Sequence, residues 1–357
     1  MAANQQSDTE RTINSTEDFE NFNLLFQYRH GCLISQIVST ACELGIFDLL
    51  LKSEGLLTSA TIAERLGTST TGMERLLEAC VGLKLLKMER KDNIALYGNM
   101  DISNLYLAES SPKSQYYYMK FFFDVVGPNL RNLTDVVREG KKQTLKTFGS
   151  QGEEFFDALY RSEEKKRTCL NSMDSTWHLC GTDVITAFDL SPFSVICDLG
   201  GAGGALARTC ISSYPNCTVT ILDLPEAVES AKKHFVCSEE HRITFHEGDF
   251  FKDPIPEADL YILARVLHFL DDEKCVQLLT KLHKVCKPGG GVLVVEIILN
   301  EDRSGPLLGH LQSIVMLLHN EGKERTASEY KVLFSAAGFK EIQVKKGWLY
   351  DAILGRK

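Results

Sequence analysis

Five short apolar runs in the second half of the chain, each closed by polar residues, set the pattern. Val195-Ile196-Cys197 runs into Asp198-Leu199-Gly200-Gly201-Ala202-Gly203-Gly204, and Ala205-Leu206-Ala207-Arg208 then opens a helix. A strand, a glycine-rich turn and a helix N-terminus in that order form a ligand-facing corner: glycine permits the tight turn, and the first N–H groups of the helix face outward. Val219-Thr220-Ile221-Leu222 ends at Asp223, and Ile243-Thr244-Phe245 leads to Gly248-Asp249-Phe250. Leu260-Tyr261-Ile262-Leu263 leads to Arg265 and His268, and Val292-Leu293-Val294-Val295 ends at Glu296 after the turn Lys287-Pro288-Gly289-Gly290-Gly291. The pattern predicts an open α/β sheet with its polar residues collected at the C-terminal ends of the strands, where such sheets bind ligands.

The first half is patterned differently. Apolar residues recur at helical spacing from Leu24 to Leu51 through Ile34, Ile37, Val38, Ala41 and Leu44, with a break at Gly45 and a second short run after it. Ser59–Gly67 predicts a short helix ended by glycine, Gly72–Leu86 a second, and Lys87–Tyr97 a small hairpin. Two short helices and a hairpin resemble a winged helix. Its DNA-binding reading is disfavoured, because Arg65, Arg75, Lys84, Lys87, Arg90 and Lys91 are matched by Glu64, Glu74, Glu78, Glu89 and Asp92. An interaction module is the better expectation. Between Ile102 and Asp189 the pattern is mostly helical, with aromatic clusters at Tyr116-Tyr117-Tyr118 and Phe121-Phe122-Phe123 that read as packing before they read as a ligand box. Phe148-Gly149 is followed by Phe155, Phe156, Leu159 and Tyr160 at helical spacing. Near the C-terminus, Thr326–Ala337 predicts a helix stopped by Gly338, and Ile342–Val344 and Leu349–Leu354 an antiparallel pair at the sheet edge.

Two ligands compete for the glycine corner. A dinucleotide site requires G-x-G-x-x-G, and counting from Gly201 the sixth position is Leu206, so that pattern fails. Asp198 would repel a pyrophosphate but attract the ammonium and sulfonium groups of S-adenosylmethionine (SAM). Asp223 stands 25 residues further on, where a βαβ unit places an acid for ribose hydroxyls, and Asp249 with Phe250 suits an adenine amino group and ring face. A net charge of −9 argues against nucleic acid as a partner. The chain's 357 residues, 44% hydrophobic and 24% charged, predict two domains with a sizeable core. Eleven cysteines without a C-x-x-C pair, a polar N-terminus and the absence of an apolar run of about 20 residues predict reduced thiols, a cytosolic location and no membrane span.

If SAM is the ligand, methyl transfer from it is chiefly a positioning problem, and an acceptor hydroxyl as weakly acidic as a phenol, with a pKa of about 10, would need a base near neutral pH, a task that imidazole at about 6.5 suits. Of nine histidines, only His268 falls at the end of an expected sheet strand within this constellation. A catalytic imidazole needs a partner to fix its tautomer; Glu296 ends the neighbouring strand. No clustered Asp/Glu pattern of the kind that holds magnesium is present, so no metal is expected.

Asp198-Leu199-Gly200-Gly201, Asp223, Gly248-Asp249-Phe250, Ala264–His268 and Lys287–Gly291 resemble the class I SAM-dependent methyltransferases. More narrowly they are similar to the small-molecule O-methyltransferases, which include plant caffeate and flavonoid enzymes and an animal branch acting on acetylserotonin. The likeness runs from about Leu24 to the C-terminus; the animal branch is matched through Ala41–Gly45, Glu257–Leu263 and Tyr350–Leu354. Ala202 departs from the family, which has a third glycine there. The resemblance implies a Rossmann-like methyltransferase domain over residues 191–357 behind a disordered 1–20, a winged-helix-like homodimerisation domain over 21–110 and a helical linker over 111–190. It implies SAM as cofactor, held by Tyr160, Trp177, Asp198, Gly200, Asp223, Gly248, Asp249, Phe250 and Arg265, and His268 as base flanked by Glu296 and Glu324. It also implies that Phe269, Val315 and His319 contact the acceptor, three positions at which the animal branch carries polar groups of other types. The acceptor it implies is a hydroxyl on a small aromatic, N-acetylserotonin first, giving melatonin. A different hydroxylated aromatic, or SAM binding without catalysis, are the rival expectations.

Overall fold

The computed structural model describes residues 16–142, 155–234 and 241–357, in two compact units that divide between Ala108 and Glu109. In the first unit a long helix, Thr16–Glu43, is followed after Gly45 by the short helix Ile46–Leu51; Gly45 has φ 76°, a left-handed conformation open to glycine at little cost. Strand β1 (Leu57–Thr58) leads into helix Ser59–Leu66, whose first turn is capped by the Thr58 hydroxyl and whose end is Gly67 at φ 66°. Helix Thr70–Gly82 follows, capped by Ser69, then β2 (Leu86–Lys91) and β3 (Ile94–Asn99). Asp92 and Asn93 both have positive φ, the two-residue turn whose twist matches a hairpin. The sheet order is β1-β3-β2. Ala41, Ile46, Phe47, Ile62, Met73, Leu77, Cys80 and Tyr97 are buried in the middle.

Two expectations shift here. Of the stretch expected to be disordered, residues 1–15 lie outside the described residues, and Thr16–Glu20 begin the first helix. The helix expected over Gly72–Leu86 is Thr70–Gly82; the chain turns at Lys84, which has positive φ, and Leu86 already opens the hairpin.

In the second unit the five apolar runs form β4 (Val195–Leu199), β5 (Thr218–Asp223), β6 (Ile243–Glu247), β7 (Leu260–Ala264) and β8 (Gly291–Glu296), all parallel. Two short strands, β9 (Ile298–Leu299) and β10 (Arg325–Thr326), pair parallel with each other. β11 (Lys340–Lys345) and β12 (Asp351–Arg356) extend the main sheet antiparallel, giving the order β11-β12-β8-β7-β4-β5-β6. Alternate strand residues serve two cores: Ile196, Ile262 and Leu293 pack with Trp177, Val184 and Leu206, while Cys197, Tyr261 and Val294 pack with Leu278, Leu282 and Phe334. Burial on both faces is why these strands are continuous apolar runs. From β4 the chain builds outward through β5 to β6, then crosses to β7 and β8 on the other side, so the order reverses between β4 and β7 and opens a crevice at their C-terminal ends. The stretch before the sheet is helical, through Tyr116–Phe121, a π turn at Phe122–Val126, a 3-10 turn at Gly127–Asn132, Leu133–Glu139, Phe155–Tyr160 and Glu163–Ile185. Phe148-Gly149 lies outside the described residues.

Candidate active site

The glycine corner closes over a buried acid. Asp198, one residue before the end of β4, is buried, and its Oδ2 has no hydrogen-bond partner among the described residues. A Cβ on Gly201 would lie 2.6 Å from that oxygen, so only glycine lets the loop fold across the carboxylate. Burial, with the Asp223 charge adding, pushes the Asp198 carboxyl up to about 8. Asp223 ends β5 and accepts the N–H groups of Ala202 at 2.9 Å and Leu224 at 2.8 Å. Burial raises it to about 6 even though both N–H groups favour its charged form. Gly200, Ala202 and Gly204 all have left-handed φ. At 48°, Ala202 holds a conformation that costs a side-chain-bearing residue about 1 kcal/mol. Arg208 ties the loop down, donating to the Gly203 carbonyl at 2.8 Å and pairing with Asp174 on the Glu163–Ile185 helix. Two acids beneath a glycine loop, one with an unpartnered oxygen, fit a cationic group and a hydroxylated ring. They do not fit a phosphate.

The other residues expected at the cofactor are placed unequally. Gly248 follows β6 and donates its N–H to the Asp223 carbonyl at 2.9 Å, which brings the Asp249-Phe250 corner beside Asp223. The Asp249 carboxylate is partly engaged, by the Phe251 N–H at 2.8 Å and Lys252 at 2.8 Å. The Phe250 ring lies 5.0 Å from that of Phe251. The Tyr160 phenol is raised well above its ordinary value by burial and then by Asp223, which places it near that acid. Trp177 is core: its indole packs 5.3 Å from the Tyr350 ring. Arg265 has φ 57° and donates to the Tyr350 hydroxyl at 2.7 Å and to Gln312 Oε1 at 3.4 Å; Gln312 in turn donates to Tyr118 at 3.5 Å. Trp177 therefore reaches the site through Tyr350 and Arg265. Tyr118 shows in the sequence only as part of an aromatic cluster, and nothing in the local spacing of Tyr118, Gln312 and Tyr350 says that three distant segments meet at one guanidinium.

At the opposite wall, His268 sits in the short 3-10 turn Leu267–Phe269 just beyond β7 and is fully buried. Its Nδ1 is 2.8 Å from Glu324 Oε1 and 3.8 Å from Glu296 Oε2, and its backbone N–H donates to Glu296 Oε1 at 3.2 Å. With Nδ1 donating to Glu324, the tautomer leaves the Nε2 lone pair free, and Nε2 has no partner among the described residues. Burial, with Glu324 adding, raises the Glu296 carboxyl to about 7, against the pull of the imidazole. One donor atom from each of these three residues lies within 4.8 Å of the other two, close enough to hold a metal ion as well as a proton. Such a pair of carboxylates around an imidazole fixes its tautomer and stabilises its charged form.

The third group of residues lines an aromatic wall. The Phe269 ring stands edge-on to the His268 imidazole with centroids 4.4 Å apart and lies 5.2 Å from Phe156, which lies 5.7 Å from Tyr160. His319 is buried 5.1 Å from Phe155; its Nδ1–H donates to the Val315 carbonyl at 3.0 Å, and its Nε2 accepts from Asn129 at 3.1 Å. Burial lowers its pKa, so it is neutral. Val315 meets this wall through its carbonyl. Asn129 has no local signal in the sequence, whereas Phe155 and Phe156 show there as an aromatic pair at helical spacing.

Residues 130–340 match an O-methyltransferase domain and residues 26–109 an O-methyltransferase dimerisation domain. The acetylserotonin O-methyltransferase of Gallus gallus is 57% identical over 97% of this chain and 100% of its own length, and that of Homo sapiens 49% over 97% and 100%. The crystal structure of human N-acetylserotonin methyltransferase in complex with SAM superposes with a TM-score of 0.92 at 49% identity, covering 96% of this chain and 99% of that one. With a matching domain over more than half its length and relatives this similar end to end, the chain belongs to the O-methyltransferase family.

Proposed function

We propose that this protein transfers the methyl group of SAM to the hydroxyl of a small aromatic, with N-acetylserotonin as the first acceptor and melatonin as its product. The observation that carries the chemistry is the buried His268–Glu324 pair at 2.8 Å, which leaves Nε2 free to accept a proton. When bound, SAM supplies a carbon activated by its sulfonium and open to in-line displacement. Asp198 gives the donor's cationic end a countercharge, and Asp223 accepts from its ribose. Gly200 and Gly248 allow close approach; Asp249, Phe250 and Tyr160 hold the base, and Arg265, backed by Trp177 through Tyr350, closes the side facing the acceptor. His268 Nε2 removes the hydroxyl proton, and Glu324, with Glu296 behind it, stabilises the imidazolium that results.

A second reading concerns the acceptor alone. The wall of Phe156 and Phe269 beside the imidazole, with Val315 and a neutral His319 behind it, favours a flat apolar phenol over a substrate needing polar recognition. The dimerisation domain supports a homodimer, and the charge balance of that domain favours a protein partner over nucleic acid. No described helix is long and apolar enough to cross a membrane. The ten described cysteines are free, which supports the cytosol as compartment.

Labelled-methyl transfer across phenols and hydroxyindoles tests the acceptor: the highest turnover with N-acetylserotonin supports the first reading, and higher turnover with a simple phenol supports the second. His268→Ala should lower turnover at pH 7 by roughly 10²–10⁴-fold, the usual contribution of a positioned base, while calorimetry shows donor affinity nearly unchanged. Undiminished turnover in that variant would remove His268 as the base.

A further inference from the structure

Arg325 is among the largest side chains buried completely in this protein. It follows Glu324 directly, yet its guanidinium points away from that carboxylate and into backbone. Its Nη1 donates to the Leu267 carbonyl at 3.0 Å and to the Lys323 carbonyl at 3.2 Å; its Nη2 donates to the Leu270 carbonyl at 2.7 Å. Leu267 and Leu270 bracket His268, and Lys323 precedes Glu324. One planar group thus joins the turn that carries the imidazole to the segment just before β10 that carries its carboxylate partner. A buried charge needs a counterion, and Asp272 provides one: its Oδ1 accepts from Nε at 2.8 Å and lies 2.7 Å from Nη2. Asp272 is the first residue of the helix Asp272–Val285, so that helix is fastened to the same point.

The two segments lie as close as backbone allows. A Cβ on Gly322 would fall 2.0 Å from the His268 carbonyl oxygen and 2.5 Å from the Phe269 carbonyl carbon, so only glycine permits the approach. The Glu324 N–H is held from the other side by the Ser313 hydroxyl at 2.9 Å. A hydrogen bond of 2.8 Å between Nδ1 and Glu324 tolerates little relative movement of its carriers, and the guanidinium is the direct tie between them.

We infer that Arg325 is a positioning residue for methyl transfer: by bonding Leu267, Leu270 and Lys323 at once it sets the separation of His268 Nδ1 and Glu324. Lysine could replace its charge but not its fork, since an ammonium on a flexible stem cannot reach carbonyls on both segments in one plane. The inference rests on His268 being the base.

Arg325→Met, Arg325→Lys and Asp272→Asn, with His268→Ala as control, test it in the full-length protein through kcat, acceptor KM, donor affinity by calorimetry and the proton spectrum of the imidazole N–H. Arg325→Met should lose at least tenfold in kcat while KM and donor affinity stay within about twofold, and the downfield Nδ1–H resonance that His268→Ala removes should broaden or move. Arg325→Lys should recover part of kcat, and Asp272→Asn, which leaves the guanidinium in place, should show a smaller loss of the same kind. If Arg325→Met does not fold, Asp272→Asn and Arg325→Lys decide by the same readouts. Unchanged kcat and resonance in the variants that fold, with His268→Ala inactive, would overturn the positioning role alone. Equal losses in kcat, donor affinity and thermal stability would reduce Arg325 to a structural residue. Full activity in His268→Ala would overturn the base and, with it, this inference.

Discussion

At the scale of single residues the least ordinary groups are the two acids under the glycine loop. Burial raises Asp198 to about 8, with the Asp223 charge adding, and burial alone raises Asp223 to about 6, so near neutral pH the donor-free protein holds a proton on Asp198 that its unfolded chain would release. A group whose folded value is raised in this way makes the folded state the greater proton binder between the ordinary carboxylate range and the raised value. Stability of the donor-free protein should therefore fall as pH rises from about 5 to about 8, read as a declining urea midpoint. Donor binding has the opposite sign. A cation at Asp198 requires the charged carboxylate, so binding at pH 7 should release a proton and donor affinity should rise toward pH 8, by up to about tenfold per unit. The measurement is calorimetry at pH 7 in two buffers of different ionisation enthalpy; an observed heat independent of buffer would contradict the proton release, and Asp198→Asn should abolish it. The position of Asp198 was legible because a strand end followed by glycines is a local pattern. Its orphaned oxygen was not, because that depends on how tightly Gly201 lets the loop close.

At the scale of elements, local chemistry made the periodic segments readable. The five apolar runs became five parallel strands, and the glycines at 45 and 67 stand in left-handed conformations at helix boundaries, as their place in the pattern implied. The capping box of Thr326 and Glu329 starts the helix Ala327–Ala336. What could not be read is the pairing of elements far apart in sequence. Strand β10 lies beside β9, and the turn before it presses on the 3-10 turn of His268, although more than fifty residues separate the two. Glu324 is marked by family likeness, while its neighbours Arg325 and Gly322 have no periodic signature that would give them a role. Gly322→Ala is the sharpest probe of that contact, because the added methyl meets carbonyl and amide backbone at 2.0 to 2.6 Å, atoms with no rotamer to turn. We expect a loss of roughly 1–3 kcal/mol in urea unfolding, the usual cost of overpacking, and a larger proportional fall in kcat than in donor affinity. Wild-type stability in that variant would mean that the two turns stand further apart in solution.

At the scale of the whole molecule, the first helix is the part that a single chain leaves unexplained. Phe19, Phe22, Leu25, Tyr28 and Leu33 are each 58 to 70% exposed along Thr16–Glu43, and Leu24 and Phe26 are 46% exposed. Seven large apolar side chains within fifteen residues exceed what a monomer usually leaves in water, and a helix apolar on more than one side is one that expects cover on more than one side. Residues 26–109 match a dimerisation domain, so the cover we assign is a second copy of this chain. Burying about 100 Å² from each of several such side chains on both partners would contribute on the order of 10 kcal/mol before association costs, enough for a stable dimer. Phe22→Asp combined with Leu25→Asp places two charges on that surface and removes two of its apolar contributors. Sedimentation should show the wild type at twice the mass of one chain and the double variant at a single chain's mass across micromolar concentrations. Because neither residue belongs to the His268 or Asp198 sites, the folded monomer should keep its thermal transition in the second unit, and any loss of turnover can then be assigned to dissociation. A double variant that still sediments as a dimer would place the interface elsewhere and leave this helix surface for another partner.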